Sequence, residues 1–258
     1  MTNLCITTAS FLLSSLFVVQ SSPVQLNADP CQRDGPEYWC RNQQTATECG
    51  VLNFCKKRGF NLAAIPNNVV KPLQFELYFE SLCPDCRNFF KEQLWPAYQQ
   101  LYDTGIFDIT LYSYGNANEK KEGGNWVFTC QHGAKECQLN LLETCALHML
   151  THPNQFMPYI HCIELDPSLA RAKQCADEMR IERQPIFKCY NGSEGNFLEH
   201  QVAVKTDSLE PKHTWVPWIV LDGAHTKEIQ DAATTNLSKL LCEQYKGTTP
   251  DACNNIMR

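Results

Sequence analysis

The chain has no block of lysine and arginine interleaved with aromatic residues. Its 22 basic residues are outnumbered by 28 acidic ones, giving a formal charge of −6. That balance cannot neutralise a phosphate backbone, so no nucleic acid partner is expected. Long apolar runs are also missing. Beyond the N-terminal segment nothing approaches the ~20 uncharged apolar residues of a transmembrane helix, and no membrane span is expected. There are no internal repeats and no low-complexity tracts. Only one Cys-x-x-Cys occurs, whereas a four-cysteine zinc site usually shows two closely spaced pairs. Cys130, His132 and Cys137 are conceivable zinc ligands, but zinc thiolates are little expected in an oxidising compartment. No metal is expected.

Cysteine, by contrast, is abundant. Fifteen cysteines in 258 residues persist as disulfides only in oxidising surroundings. The N-terminus agrees: the apolar stretch Phe11 to Val19 is too short to span a bilayer but suits a signal-peptide core followed by small residues, although no lysine or arginine precedes it. Residues 1–22 are read as a signal peptide and the mature protein is placed in the secretory pathway, in lysosomes or outside the cell. Removing Cys5 leaves an even number of cysteines. Asn191 and Asn236 head two sequons, Asn191-Gly192-Ser193 and Asn236-Leu237-Ser238, that accept N-glycans there.

The remainder divides into three parts. Residues 31–66 hold Cys31, Cys40, Cys49 and Cys55 in a stretch with little apolar content, which needs two bridges in one of three connectivities. A turn-rich linker, Ile65 to Pro72, follows. Residues 70–246 form the main domain. There "LQFELYFESL" reads as a strand running into Cys83, and Pro84 suits the first turn of a helix whose apolar residues run from Phe89 to Leu101. "IFDITLYSYG" reads as a second strand, completing a βαβ unit. Asn116 to Gly192 is expected to be a mostly helical insertion with six cysteines, before a short strand near Trp218 and a final helix from Lys227 to Tyr245. Residues 247–258 are a tail, held through Cys242 and Cys253 or lost to processing.

A Cys-x-x-Cys that follows a strand and opens a helix within a βαβ unit is the thioredoxin-like redox arrangement. Positions i and i+3 of a first helical turn bring two sulfurs within bonding reach, and the free N–H groups there favour a thiolate on the first. Cys83 is then the nucleophile and Cys86 the resolving thiol. Asp85 opposes the thiolate and Arg87 favours it. Thioredoxin-like folds also set a cis-proline opposite this motif. Val216-Pro217 fits that place, with the Val216 backbone available to pair with a substrate strand. A structural bridge between Cys83 and Cys86 is the blander reading.

In "CQHGAKECQLNLLETC", Cys137 and Cys145 on one continuous helix stand roughly 12 Å apart, beyond the roughly 7 Å limit for a disulfide, so each must reach elsewhere. His132 reads as a turn residue before that helix, ahead of an acid–base role. Cys130, Gln131, His132, Gly133, Glu136, Cys137, Asn140 and Cys145 match CQHGxxECxxNxxxxC. The chain thereby resembles the gamma-interferon-inducible lysosomal thiol reductases over roughly residues 70 to 245, and "GPEYWC" (Gly35 to Cys40) is similar to a saposin A-type segment. The resemblance implies a thioredoxin-like α/β core with a disulfide-stapled helical insertion and a small cysteine-rich N-terminal module. It puts the active-site pair on Cys83 and Cys86. It also implies disulfide-bonded protein substrates in acidic lysosomes and no bound cofactor, turnover drawing on an external thiol such as cysteine or glutathione. The Pro84-Asp85 pair differs from those familiar in vertebrate members and leaves the redox poise open between reductase and isomerase. A secreted, non-catalytic immune-interaction protein on the same fold is the rival reading.

Overall fold

The computed structural model describes residues 39–41, 43–59, 62 and 70–258. The expected signal peptide, Cys31 and most of the linker lie outside them. In the N-terminal module, α1 (Gln43–Glu48) and α2 (Leu52–Lys57) enclose a small cluster of Cys40, Ala46 and Cys55. That cluster is too small to hold two short helices alone, and the Cys40–Cys55 bridge joins its ends. Cys49 is also disulfide-bonded.

The main domain is built on β1 (Leu73–Phe79), β2 (Phe107–Ser113) and β5 (Trp218–Leu221), in the order β2-β1-β5. β1 and β2 run parallel, from Leu73 opposite Phe107 to Phe79 opposite Ser113, while β5 is antiparallel to β1. Alternation assigns the two faces. Phe75, Leu77 and Phe79 enter the main core, and Tyr78 meets Trp218, Val220 and Leu209 on the other side. The crossover from β1 to β2 is the expected helix in three parts: α3 (Pro84–Phe89), a π turn at Phe90–Leu94, and α4 (Trp95–Leu101). Pro96 accounts for the π turn, since it has no N–H to return to the Glu92 carbonyl.

The insertion is not as helical as expected. It opens with a hairpin, β3 (Asn118–Glu122) and β4 (Asn125–Thr129), closed by Gly123-Gly124 with φ of +56° and +92°. Two consecutive positive φ values make a turn whose twist matches paired strands, and glycine adopts them without strain. Then come α5 (Ala134–Met149), α6 (Pro153–Leu165), α7 (Leu169–Glu178), α8 (Arg183–Tyr190) and α9 (Ser193–Asp207), which carries the insertion past Gly192. Cys145–Cys189 ties α5 to α8, Cys162–Cys175 ties α6 to α7, and Cys130–Cys137 closes the turn before α5. Cys137 and Cys145 do reach separate partners.

After β5 comes α10 (Lys227–Gln244), kinked at Asn236, where φ is −159°. Residues 247–258 are more than a tail: α11 (Asp251–Ile256) folds back on α10 and α4, and Cys253 is buried in a bridge to Cys242. Among the described residues no helix is long and apolar enough to cross a membrane.

Candidate active site

Cys83 and Cys86 are the free cysteines among the described residues. Cys83 sits just before α3 in extended backbone (φ −66°, ψ 120°), with Pro84 as the first helical residue and the Cys83 carbonyl accepting from Arg87 N–H. It retains 7% exposure, against none for Cys86 one turn deeper. The hydrogen bond from the Cys86 thiol comes first among the influences on Cys83. Burial works against it, the N–H groups of Cys86 and Asp85 assist it, and the Asp85 charge opposes it; the balance pulls the Cys83 pKa down to about 6. Burial, followed by the Cys83 sulfur, pushes Cys86 the other way. One thiol is thus poised to ionise and its neighbour is held protonated.

The Val216–Pro217 peptide is cis, and the Val216 carbonyl accepts from the Cys83 thiol at 3.8 Å. The Val216 side chain is buried, so its backbone is what faces the sulfur. Gln230 fixes this segment from α10, donating to the Pro217 carbonyl at 2.9 Å and accepting from Ile219 N–H at 3.1 Å.

The residues of the CQHG stretch converge on the loop just before Cys83. Asn140 is fully buried on α5, and its Oδ1 accepts from Ser81 N–H at 3.1 Å and Ser81 Oγ at 2.8 Å. Ser113 Oγ at the end of β2 donates to Glu143 at 2.7 Å, continuing the buried polar row one turn along α5. Gln131 Oε1 accepts from Asn116 Nδ2 at 2.7 Å. His132 lies in the exposed turn that was expected of it, but its ring turns inward. Its Nδ1 is 2.5 Å from Glu136 Oε2 and 3.4 Å from Glu80 Oε2. Cys130, Cys137 and Cys145 are spent on bridges, which removes Cys130 and Cys137 as metal ligands.

Sequence reasoning passed over Glu80. Its carboxyl is wholly buried, with Oε1 accepting from Asn116 N–H at 2.6 Å. Gly115, at φ +59°, makes room for it: a Cβ there would stand 2.3 Å from Glu80 Cγ. Burial is the main cause of a Glu80 pKa raised to about 7; the Asn116 N–H opposes it, Glu136 and Cys83 add to it, and His132 opposes it. Glu80, His132 and Glu136 bring three ligand-capable atoms within 4.8 Å of one another, but a 2.5 Å Nδ1···Oε2 hydrogen bond already joins two of them.

Glu164 was also missed. It is buried at the end of α6 against Glu143, and burial first, then the Glu143 charge, hold its carboxyl protonated. Arg87, expected to favour the thiolate, instead donates to the Glu164 and Leu165 carbonyls at 2.9 and 3.1 Å. It thus caps α6 and ties α3 to the insertion. Asn191 and Asn236 are both exposed.

Residues 74–179 match the family model for gamma interferon inducible lysosomal thiol reductase, and residues 28–61 that for saposin A-type domains. A gamma-interferon-inducible lysosomal thiol reductase of Carassius auratus is 42% identical, over 86% of this chain and 84% of its own. The protein of that name from Mus musculus is 37% identical over 72% of this chain and 73% of its own. A gamma-interferon-responsive lysosomal thiol protein of Arabidopsis thaliana is 38% identical over 76% and 80% respectively. Among solved structures, DsbA of Chlamydia trachomatis aligns with a TM-score of 0.48 at 15% identity, covering 66% of this chain and 89% of that one. With such identity running through most of both chains, this chain belongs to the gamma-interferon-inducible lysosomal thiol reductase family.

Proposed function

We propose that this protein is a thiol:disulfide oxidoreductase that reduces disulfide bonds of protein substrates through Cys83 and Cys86, in an acidic endolysosomal compartment. The observation that carries the reading is the pair itself: a slightly exposed thiol with a lowered pKa at a helix start, backed by a buried thiol with a raised one. Family membership supports it. At a pKa of about 6, Cys83 is thiolate in roughly one molecule in ten at pH 5, against roughly one in three thousand for an ordinary thiol near 8.5.

The Cys83 thiolate attacks one sulfur of the substrate disulfide, forming a mixed disulfide and expelling the other sulfur as a thiolate that takes a proton. Cys86 then loses its proton and attacks the Cys83 sulfur. The second substrate thiol leaves, and a Cys83–Cys86 disulfide remains. Two equivalents of an external thiol, such as cysteine or glutathione, return the enzyme to the dithiol. The Val216 backbone and Pro217 align the substrate strand beside Cys83.

Cys83→Ser abolishes reduction of a denatured disulfide protein, whereas Cys86→Ser accumulates the mixed disulfide, read by mass spectrometry under non-reducing conditions. Trapping by the Cys83 variant instead overturns the assignment.

A further inference from the structure

Two buried carboxyl groups, Glu80 and Glu136, meet one imidazole in front of the Cys83 loop, and the Cys83 charge pushes up the pKa of both Glu80 and His132. Glu80 precedes Cys83 by three residues, and the loop between them is folded so that Cys83 N–H donates to the Glu80 carbonyl. Both glutamates are wholly buried. Glu136 Oε1 accepts from His132 N–H at 2.8 Å, and its Oε2 meets the ring. Glu80 Oε2 has no hydrogen-bond partner and points at the same ring nitrogen. Two carboxylates buried this close together beside a thiolate cannot all keep their charges unless protons enter the cluster.

We propose that the Glu80–His132–Glu136 cluster is the counter-charge of the Cys83 thiolate, loading protons as the medium acidifies so that Cys83 keeps its own charge. Each proton taken up by Glu80 removes a negative neighbour, and each one taken up by His132 adds a positive one. Both changes favour the thiolate at the pH where an isolated thiol would lose it. Glu80, raised to about 7, changes charge in the required range. Although desolvation pulls the other way, the Glu136 hydrogen bond and the charges of Glu136, Glu80 and Cys83 raise His132 above its ordinary pKa.

The other groups facing Cys83 do not supply such a swing. Asp85 shares its turn and opposes the thiolate. Glu164 is held protonated by burial, and Arg87 is engaged by carbonyls. His213, whose ring meets the Gly115 backbone, is pushed toward the neutral form by burial.

The inference rests on Cys83 as nucleophile but not on where the protein works. The test follows Cys83 ionisation in the full, reduced chain, by iodoacetamide alkylation rate and thiolate absorbance from about pH 4.5 to 8.5. The native protein should titrate over a wider range than a single-proton curve. His132→Gln should slow alkylation about tenfold at pH 5 and progressively less toward pH 8, as expected for loss of a nearby cation worth about one pKa unit. Glu80→Gln should speed alkylation most between about pH 6 and 7, where Glu80 is partly charged and Cys83 not fully ionised, and change little at pH 8, where the thiolate is already complete, or at pH 5, where Glu80 carries its proton. His132→Lys, cationic throughout, should preserve the acid rate, and it decides the matter if Glu80→Gln does not fold. Single-proton curves of equal midpoint in native and variant proteins overturn the proposal, as do His132→Gln and His132→Lys shifts of the same sign and size. If Cys83 titrates as described but no substrate disulfide is reduced, the functional reading fails and this one stands.

Discussion

Replacing Glu199 with glutamine should stabilise the protein near neutral pH and do little in acid. Glu199 is buried on α9 against α5. Burial is the chief cause of a pKa raised to about 8; the nearby Thr144 hydroxyl opposes it, and the Glu143 and Glu119 charges add to it. The native state therefore keeps a proton there through neutrality, whereas the unfolded chain releases it near about 4.3. Between those values the native state binds more protons than the unfolded one. Stability from this group is fully present below about pH 4.3 and is lost as pH rises toward about 8. At pH 7.5 holding the proton costs about 4 kcal/mol, and at pH 5 about 1 kcal/mol. Glutamine fills the same space and never titrates. Glu199→Gln should raise the unfolding midpoint by about 8–16 °C at pH 7.5 and by roughly a quarter of that at pH 5, given about 2–4 °C per kcal/mol for a domain of this size. Circular dichroism melts at one fixed scan rate across this pH range make the measurement. Equal shifts at both pH values, or a loss at pH 7.5, would refute the linkage.

Asn140→Ala removes the acceptor for two buried Ser81 donors; we expect a loss of about 2–4 kcal/mol, read by thermal unfolding, and faster amide exchange at Ser81, with native-like exchange there contradicting the expectation. Cys253→Ser opens the bridge to Cys242 and should cost about 2–3 kcal/mol in the segment it closes. Limited proteolysis should then remove residues after Tyr245, and resistance equal to the native chain would show that packing alone holds α11.

The βαβ unit, its unbridged cysteine pair and the cis-proline were legible because each depends on local chemistry: an aromatic strand, a proline at a helix start, an X-Pro before an apolar strand. The hairpin at Gly123-Gly124 was equally local, and paired glycines between polar and aromatic residues were the signal to read. Glu80 and Glu164 were not legible in this way. Each sits among apolar neighbours, where an acid looks like the polar half of an alternating pattern. Only the approach of Gly115, His132 and Glu143 from distant segments turns them inward. His132 shows the same limit, since its turn was readable and the direction of its ring was not. The bridges among the six cysteines of the insertion were bounded by helix geometry, but their connectivity needed the packing of α5 on α8 and of α6 on α7.

An agent that cleaves disulfides is a hazard to its own staples. Both cysteines are buried in the bridges Cys40–Cys55, Cys145–Cys189, Cys162–Cys175 and Cys242–Cys253, so an attacking thiolate cannot approach in line with the sulfurs. Cys130–Cys137 differs, with both cysteines only partly buried, and Cys49, bridged as well, is also only partly buried. The Cys130–Cys137 bridge closes the turn that holds His132 against Glu136 and Glu80. Over-reduction would therefore slacken the turn at His132 while the buried bridges still held, and the molecule would lose its edge before it lost its fold.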